Sequence, residues 1–245
     1  MTPSRMRFLP KQPGPALAGA PAAALALLAA LMLAHPAAGD RAALAAATVY
    51  SSPSAYTTVV SATVTLDLMV DCGVNADAVS VIASFDPRLL QAQAVVADAS
   101  FPNTLRNTID NSLGRVYFDA GAPLTCHDDS NCPSGVVRAA QLRFVTVGAA
   151  AAPTSVGLAG KIVWSGSYVF NGSGAGSSLT IRLRGDVDAD CDVDLTDMML
   201  VAQAWDTVSG GPGFLPAYDL DSSGAIDVLD VMNVAIHWGD VCVVP

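Results

Sequence analysis

Between residues 61 and 184 apolar and polar residues alternate with a period of two. In SATVTLDLMV, Ala62, Val64, Leu66, Leu68 and Val70 share one face, and Ser61, Thr63, Thr65 and Asp67 the other. This is the pattern of a strand buried on one side. AVSVIASF, LLQAQAVV, GRVYFDAG, VVRAAQLRFVTV, SVGLAGKIVW and SLTIRLR continue the series. Turn signals separate them at Asp86-Pro87, Asn103, Asn111-Ser112, Pro133-Ser134-Gly135 and Asn171-Gly172. No helical pattern interrupts residues 48–184. Several strands at this spacing predict a two-sheet antiparallel sandwich, long enough to bury a real core. In WSGSYVF, the period of two puts Trp164, Gly166, Tyr168 and Phe170 on one strand face. Such a row either stacks on sugar rings or belongs to the core, and core is the simpler reading where aromatics are few.

The period changes after residue 185. GDVDADCDVDLTDMMLVAQAW from Gly185 and YDLDSSGAIDVLDVMNVAIHW from Tyr218 hold one pattern twice, 33 positions apart. Asp186 falls on Asp219, Asp188 on Asp221, Asp194 on Asp227 and Asp197 on Asp230. A repeat this detailed marks a duplicated structural unit. In each copy an acidic loop runs into a helical pattern. Met198, Val201, Ala202 and Trp205, and likewise Val231, Val234, Ala235 and Trp238, recur at three and four and read as core-facing stripes.

The loops have the spacing of a calcium site. A hard divalent cation takes six to eight oxygens, which an EF-hand loop supplies from positions 1, 3, 5, 7, 9 and 12. In copy one these are Asp186, Asp188, Asp190, the carbonyl of Asp192, Asp194 and Asp197. In copy two they are Asp219, Asp221, Ser223, the carbonyl of Ala225, Asp227 and Asp230. Six aspartates within twelve residues repel one another unless a cation sits among them. Two calcium ions are expected.

Charge sharpens this division. The chain has no Glu, and all 22 acidic residues are Asp. Twelve of them lie in 185–245, which has no Lys or Arg, whereas 1–184 has 12 basic and 10 acidic residues. Without a basic cluster beyond its first residues, the chain is not expected to bind nucleic acid. Residues 1–39 read as a secretory signal: Arg5, Arg7 and Lys11 precede an Ala/Leu run from Ala16 to Ala34, followed by Ala37, Ala38 and Gly39. No membrane span is expected once it is removed. Five cysteines suit an oxidising compartment. Cys126 and Cys132 flank a short loop they can close. Cys72 is the odd one out and is expected as a buried thiol.

No catalytic constellation emerges. A glycosidase needs two carboxyl groups across a cleft, but ten of the aspartates sit in the calcium loops. Asp67, Asp71, Asp86 and Asp119 lie in or beside strands, where a turn or exposed position accounts for them. His127 and His237 neighbour no nucleophile motif.

A duplicated loop-helix segment with Asp at position 12 of each loop resembles a dockerin module, in which two half-EF-hand repeats bind calcium. Dockerins bind cohesin modules in secreted polysaccharide-degrading assemblies. The resemblance implies recognition at loop positions 10 and 11, here Leu195-Thr196 and Val228-Leu229, more apolar than the family's usual Ser-Thr. Cys191 stands at position 6, where Gly is usual and Gly224 keeps it in copy two, so loop 1 is expected to be distorted. Dockerin termini lie close together, which implies a Cys191–Cys242 bridge. Residues 48–184 are similar to a cohesin module, on VTLDLMVD, AVSVIASFDPRLLQ, GRVYFDAGAP and GVVRAAQLRFVTVG. That likeness implies a jelly-roll sandwich whose sheet face binds dockerin.

The expectation is thus a secreted multidomain chain: signal 1–39, an all-β jelly-roll sandwich at 48–184, and a small all-α dockerin of two loop-helix repeats at 185–245. Its function is expected to be non-catalytic recognition. Cohesin or dockerin modules of other secreted proteins are the expected partners, a second copy of the chain among them. Two alternatives stand beside it: a carbohydrate-binding protein tethered by its dockerin, with polysaccharide as ligand, and a surface protein using the calcium repeat as a structural cap.

Overall fold

The computed structural model describes residues 47–126, 131–164 and 167–243. The expected signal segment and His127 lie outside them. Among the described residues no helix is long and apolar enough to cross a membrane.

Ten strands build the N-terminal part: β1 (Thr48–Ser52), β2 (Ala55–Val59), β3 (Thr63–Asn75), β4 (Ala78–Ser84), β5 (Leu90–Ala97), β6 (Asn103–Asp110), β7 (Arg115–Gly121), β8 (Ser134–Thr146), β9 (Thr154–Trp164) and β10 (Ser167–Arg182). Their order is β5-β8-β3-β1-β10-β9-β4-β7-β6, with β2 also paired to β10. Neighbours are antiparallel except at β10, which runs parallel to β1 at Tyr50↔Ala175 and parallel to β2 beyond it. The long β10 thereby joins the two halves of the sandwich. Two glycines permit the join. A Cβ at Gly174 would lie 2.3 Å from the Val49 carbonyl oxygen, and one at Gly176 would lie 2.1 Å from that of Val156.

The alternation read in the sequence decides which face goes inward. Val64, Leu66, Leu68 and Val70 of β3 are fully buried and meet Val81, Phe118, Leu158 and Ile162 from the facing strands. Phe85 and Phe144 pack edge to face across the core, centroids 5.3 Å apart. The outer strands β5 and β6 are tied by side chains. Asn107 donates to the Val95 carbonyl at 2.9 Å, and Asn111 both accepts from and donates to the Ala92 backbone. Asn111 thus stands in for a strand neighbour on an otherwise open edge.

Several expectations need correction. Asn103 opens β6 rather than marking a turn, Ser134 and Gly135 belong to β8, and Asn171-Gly172 lies inside β10. β6 is exposed over most of its length and has no apolar alternation to reveal it. β1 and β2 also escaped the pattern, being short and split around Pro53. The aromatic row of WSGSYVF does not run along one strand: the chain reverses, so that Trp164 of β9 pairs with Ser167 of β10 and Val163 with Tyr168. Trp164 and Phe170 are therefore on different strands.

Beyond β10 come helices α1 (Leu195–Gln203) and α2 (Val228–Ile236) and a small ribbon, β11 (Thr207–Val208) paired with β12 (Ala225–Ile226). The copies are crossed: the segment after α1 pairs with loop 2, and the segment after α2 pairs with loop 1. Asp206 N–H donates to the Ile226 carbonyl at 3.0 Å, and its counterpart Gly239 donates to Val193 at 2.9 Å.

Candidate metal centre

Each acidic loop folds around its own carboxylates, and the two copies do so with the same bonds. Asp197, fully buried, accepts the Val187 N–H at 2.7 Å and the Asp188 N–H at 3.4 Å on Oδ1, and the Asp194 N–H at 2.9 Å on Oδ2. Asp230, also fully buried, accepts Leu220 at 2.7 Å, Asp221 at 3.3 Å and Asp227 at 2.9 Å. At position 1, Asp186 accepts Asp190 and Cys191, each at 3.2 Å, and Asp219 accepts Ser223 at 3.0 Å and Gly224 at 2.9 Å. Asp194 and Asp227 cap the helices, and with Asp197 and Asp230 at the third helical position they form reciprocal capping boxes. The helix starts are thus built from the same aspartates that ring the loop.

The backbone is equally matched. Ala189 and Ser222 take φ of 62° and 61°, and Cys191 and Gly224 take 80° and 85°. The expected distortion at Cys191 is absent: the cysteine adopts the left-handed conformation its glycine counterpart uses. A non-glycine residue held there costs on the order of 1–3 kcal/mol. A bond to Cys242, 51 residues on, holds it in place, with the Cα atoms 5.2 Å apart. Cys126 and Cys132 are also bonded, and Cys72 is a buried free thiol.

The carboxylate oxygens of Asp186, Asp188 and Asp190 lie within 4.8 Å of one another, as do those of Asp192, Asp194 and Asp197. In loop 2 the same holds for Asp219, Asp221 and Asp230. Two oxygens on opposite sides of a calcium ion, each about 2.4 Å from it, stand about that far apart. Ser223 contributes a hydroxyl that donates to the Ala225 carbonyl at 3.1 Å, and Asp227 stays in its cap, outside the loop 2 group.

Electrostatics favour a cation. Burial pushes the Asp186 carboxyl above the usual carboxylate range, and the Asp197 charge adds to it, against hydrogen bonds from Cys191, Ala189 and Asp190. Burial raises Asp188 and Asp192 as well, with repulsion from neighbouring loop aspartates. The Asp192 Oδ1 atom is buried with no hydrogen-bond partner among the described residues. A buried carboxylate oxygen without a donor is costly, and a cation in the loop would satisfy it. The residues present therefore fit an oxygen-seeking divalent ion.

The helix surfaces differ from expectation. Asp197, Val201 and Ala204 are buried in copy one, and Asp230 and Val234 in copy two. Met198 and Val231 are half-buried, but Ala202 and Ala235 face solvent. Trp205 and Trp238 are 50% and 53% exposed and lie past the helix ends. With only two helices stacked, each has one narrow inner stripe, and the position 12 aspartate takes its first place. Leu195, Thr196, Val228 and Leu229 are exposed. Met199, Met232 and Ile236 extend that apolar surface beyond loop positions 10 and 11. Their signal was present: Met199 and Met232 follow Leu195 and Val228 by one helical turn.

Residues 184–236 match the dockerin type I domain family. No curated protein matches the chain. Among solved structures, the third cohesin of ScaC from Acetivibrio cellulolyticus, solved with a ScaB dockerin, aligns at 14% identity and TM-score 0.46 over 55% of this chain and 98% of that one. A non-cellulosomal cohesin from Archaeoglobus fulgidus aligns at 15% identity and TM-score 0.43 over 56% and 91%. A cohesin module of a Clostridium perfringens family 33 glycoside hydrolase aligns at 7% identity and TM-score 0.42 over 55% and 98%.

Proposed function

We propose that this chain is a secreted, non-catalytic recognition protein: a signal at 1–39, a cohesin-like sandwich at 48–184 and a dockerin at 185–245 that folds on two calcium ions and docks onto the cohesin module of another secreted protein. The observation that carries the reading is the matched pair of acidic loops, each opening a helix whose outer face holds exposed apolar residues, within the segment that matches the dockerin family. Calcium would be held in loop 1 by Asp186, Asp188, Asp190, Asp194, Asp197 and the Asp192 carbonyl. In loop 2 the ligands would be Asp219, Asp221, Ser223, Asp227, Asp230 and the Ala225 carbonyl. Bound there, it neutralises the carboxylates and fixes both helix starts. Because such a site does not exist in the unfolded chain, metal affinity is folding free energy.

Docking follows from what is left exposed. Leu195, Thr196 and Met199 on α1, and Val228, Leu229 and Met232 on α2, form two related surfaces. A partner sandwich can meet either one, the chain turned by half a rotation between the two modes. The motifs shared with cohesins add that the sandwich itself is a receptor, for a foreign dockerin or for that of a second copy. Degradation of polysaccharide is the setting this pairing fits. Calorimetric titration of the mature chain with a panel of purified cohesins, in calcium and in chelator, is the test. Calcium-dependent binding that Leu195→Asp with Val228→Asp abolishes is the expected result; a panel that binds equally in both buffers overturns the reading.

A further inference from the structure

We propose that the two acidic loops are unequal: loop 1 is the tighter cation site and fastens the module to the sandwich, whereas loop 2 binds more weakly and without effect on the sandwich. This rests on the calcium reading above and concerns how the two sites divide the work.

Ligand charge differs first. Five of the loop 1 ligands are carboxylates and four of those in loop 2, which has Ser223 where loop 1 has Asp190; loop 1 also carries the Asp192 side-chain charge where loop 2 has Ala225. The extra Asp192 side chain is the one whose buried Oδ1 lacks a partner among the described residues. Affinity of such loops rises with ligand charge and with rigidity of the site.

Rigidity differs second, and it runs the same way. Loop 1 begins at Asp186, four residues after Arg182, the last residue of β10, with Leu183 buried in the common core. Its far side is held by the C-terminal segment. Asp192 bridges Val241, the Val193 N–H donates to the Asp240 carbonyl at 3.0 Å, and Cys191 is bonded to Cys242. The next residue reaches the sandwich: the Val243 N–H donates to the Ala149 carbonyl at 2.7 Å. Val243 also packs against Gly148, where an added Cβ would lie 2.9 Å from its Cγ2 and 2.7 Å from the Arg88 carbonyl oxygen. Loop 1 is therefore gripped between β10 and the segment after β8. A cation that orders loop 1 also orders both of those contacts.

Loop 2 has neither grip. The residues matching Cys191 and Cys242 are Gly224 and Ser209, joined only through the Ser209 N–H to the Gly224 carbonyl at 2.8 Å. The chain enters loop 2 through residues 209–218, which are largely exposed and hold Gly210, Gly211 and Gly213. Its backbone contacts run to β11, within the module.

The test uses the full mature chain, with terbium luminescence and calcium calorimetry for binding and scanning calorimetry for the sandwich transition. Two binding phases are expected, with affinities about tenfold or more apart. Asp221→Asn removes the weaker phase and leaves the sandwich transition where it was. Asp188→Asn removes the tighter phase and lowers the sandwich transition in calcium to its value in chelator. Should Asp188→Asn abolish all helicity, the double variant Asp190→Ser with Asp192→Ala decides the matter, since it gives loop 1 the acidic-residue pattern of loop 2; the tighter phase then weakens several-fold toward the other. Equal affinities, loss of the tighter phase in Asp221→Asn, or a sandwich transition indifferent to loop 1 overturns the proposal while leaving calcium binding intact. Absence of any calcium binding instead defeats the calcium reading itself.

Discussion

Strand β3 buries Val64, Leu66, Leu68 and Val70 completely, while helix α1 fully buries a single aliphatic side chain, Val201, beside the carboxylate of Asp197. The same contrast holds throughout. The sandwich encloses three fully buried phenylalanines, Phe101, Phe118 and Phe144, and a continuous aliphatic core. The duplicated module buries little beyond Val193, Val201, Ala204, Ile226 and Val234, and its most enclosed polar groups are two aspartates. A fully buried Leu or Phe stabilises by about 1.5–3 kcal/mol, so the sandwich has ample means to fold unaided. The module has too few such residues and too many like charges. One region is organised by excluding water, the other by oxygen ligands arranged for a cation.

The contrast breaks most completely at the position 12 aspartates. Asp197→Ala with Asp230→Ala removes the acceptor of six backbone N–H groups along with two cation ligands. Calcium-induced helical circular dichroism should vanish while the β signal of the sandwich persists. Loss of both signals together would mean that the sandwich does not stand on its own core. The converse variant, Phe144→Ala, empties the core beside Phe85 and should cost about 3–5 kcal/mol of sandwich stability by denaturant unfolding. Loop 2 calcium affinity should not change.

A finer test uses the one covalent difference between the copies. Cys191–Cys242 spans 51 residues, and removing it by Cys191→Ser should cost about 4 kcal/mol by loop entropy, read as a fall in the module's melting transition. The other copy can be given its own link. A Cβ at Gly224 would lie 3.8 Å from that of Ser209, close to the mean of about 3.8 Å in disulfides. Ser209→Cys with Gly224→Cys should oxidise spontaneously. Closing the shorter loop adds about 3 kcal/mol, less about 1–3 kcal/mol for a left-handed non-glycine residue, so the net gain is small. Peptide mapping and melting report it. The smallest effect concerns Cys72. Burial, with the neighbouring Asp71 charge, pushes its thiol up to about 12. Thiolate is therefore scarce throughout the neutral and mildly alkaline range. Iodoacetamide should label Cys72 only once the sandwich unfolds, as mass spectrometry of native and denatured samples would show.

The sequence was legible where one face of an element is dry. Strands β3, β4, β7 and β9 carry clear alternation, and the inner sheet faces follow from it. Edges and joins were not legible: β6 is solvated along most of its length and shows no pattern of two, and β10 carries glycines where it meets β1, so only its end, in SLTIR, shows the alternation. Trp164 to Phe170 misled because alternating residues continue through the hairpin, whose pairing of Trp164 with Ser167 shifts the alternation by one. In the metal centre the aspartate spacing named each loop carboxylate, since ligand geometry is set by position along a short loop. What spacing does not reveal is the doubling of Asp194 and Asp227 as helix caps, or that Cys191 keeps a glycine's conformation. The helix stripes failed at Trp205 and Trp238 because a two-helix module has no second layer to cover them.

Hydrogen exchange by mass spectrometry on the mature chain, in calcium and then in chelator, tests the division between the two regions most directly. The account predicts that amides of α1, α2 and both acidic loops lose protection when calcium is removed, while those of β3 and β8 keep theirs. Helices that stay protected in chelator would contradict it.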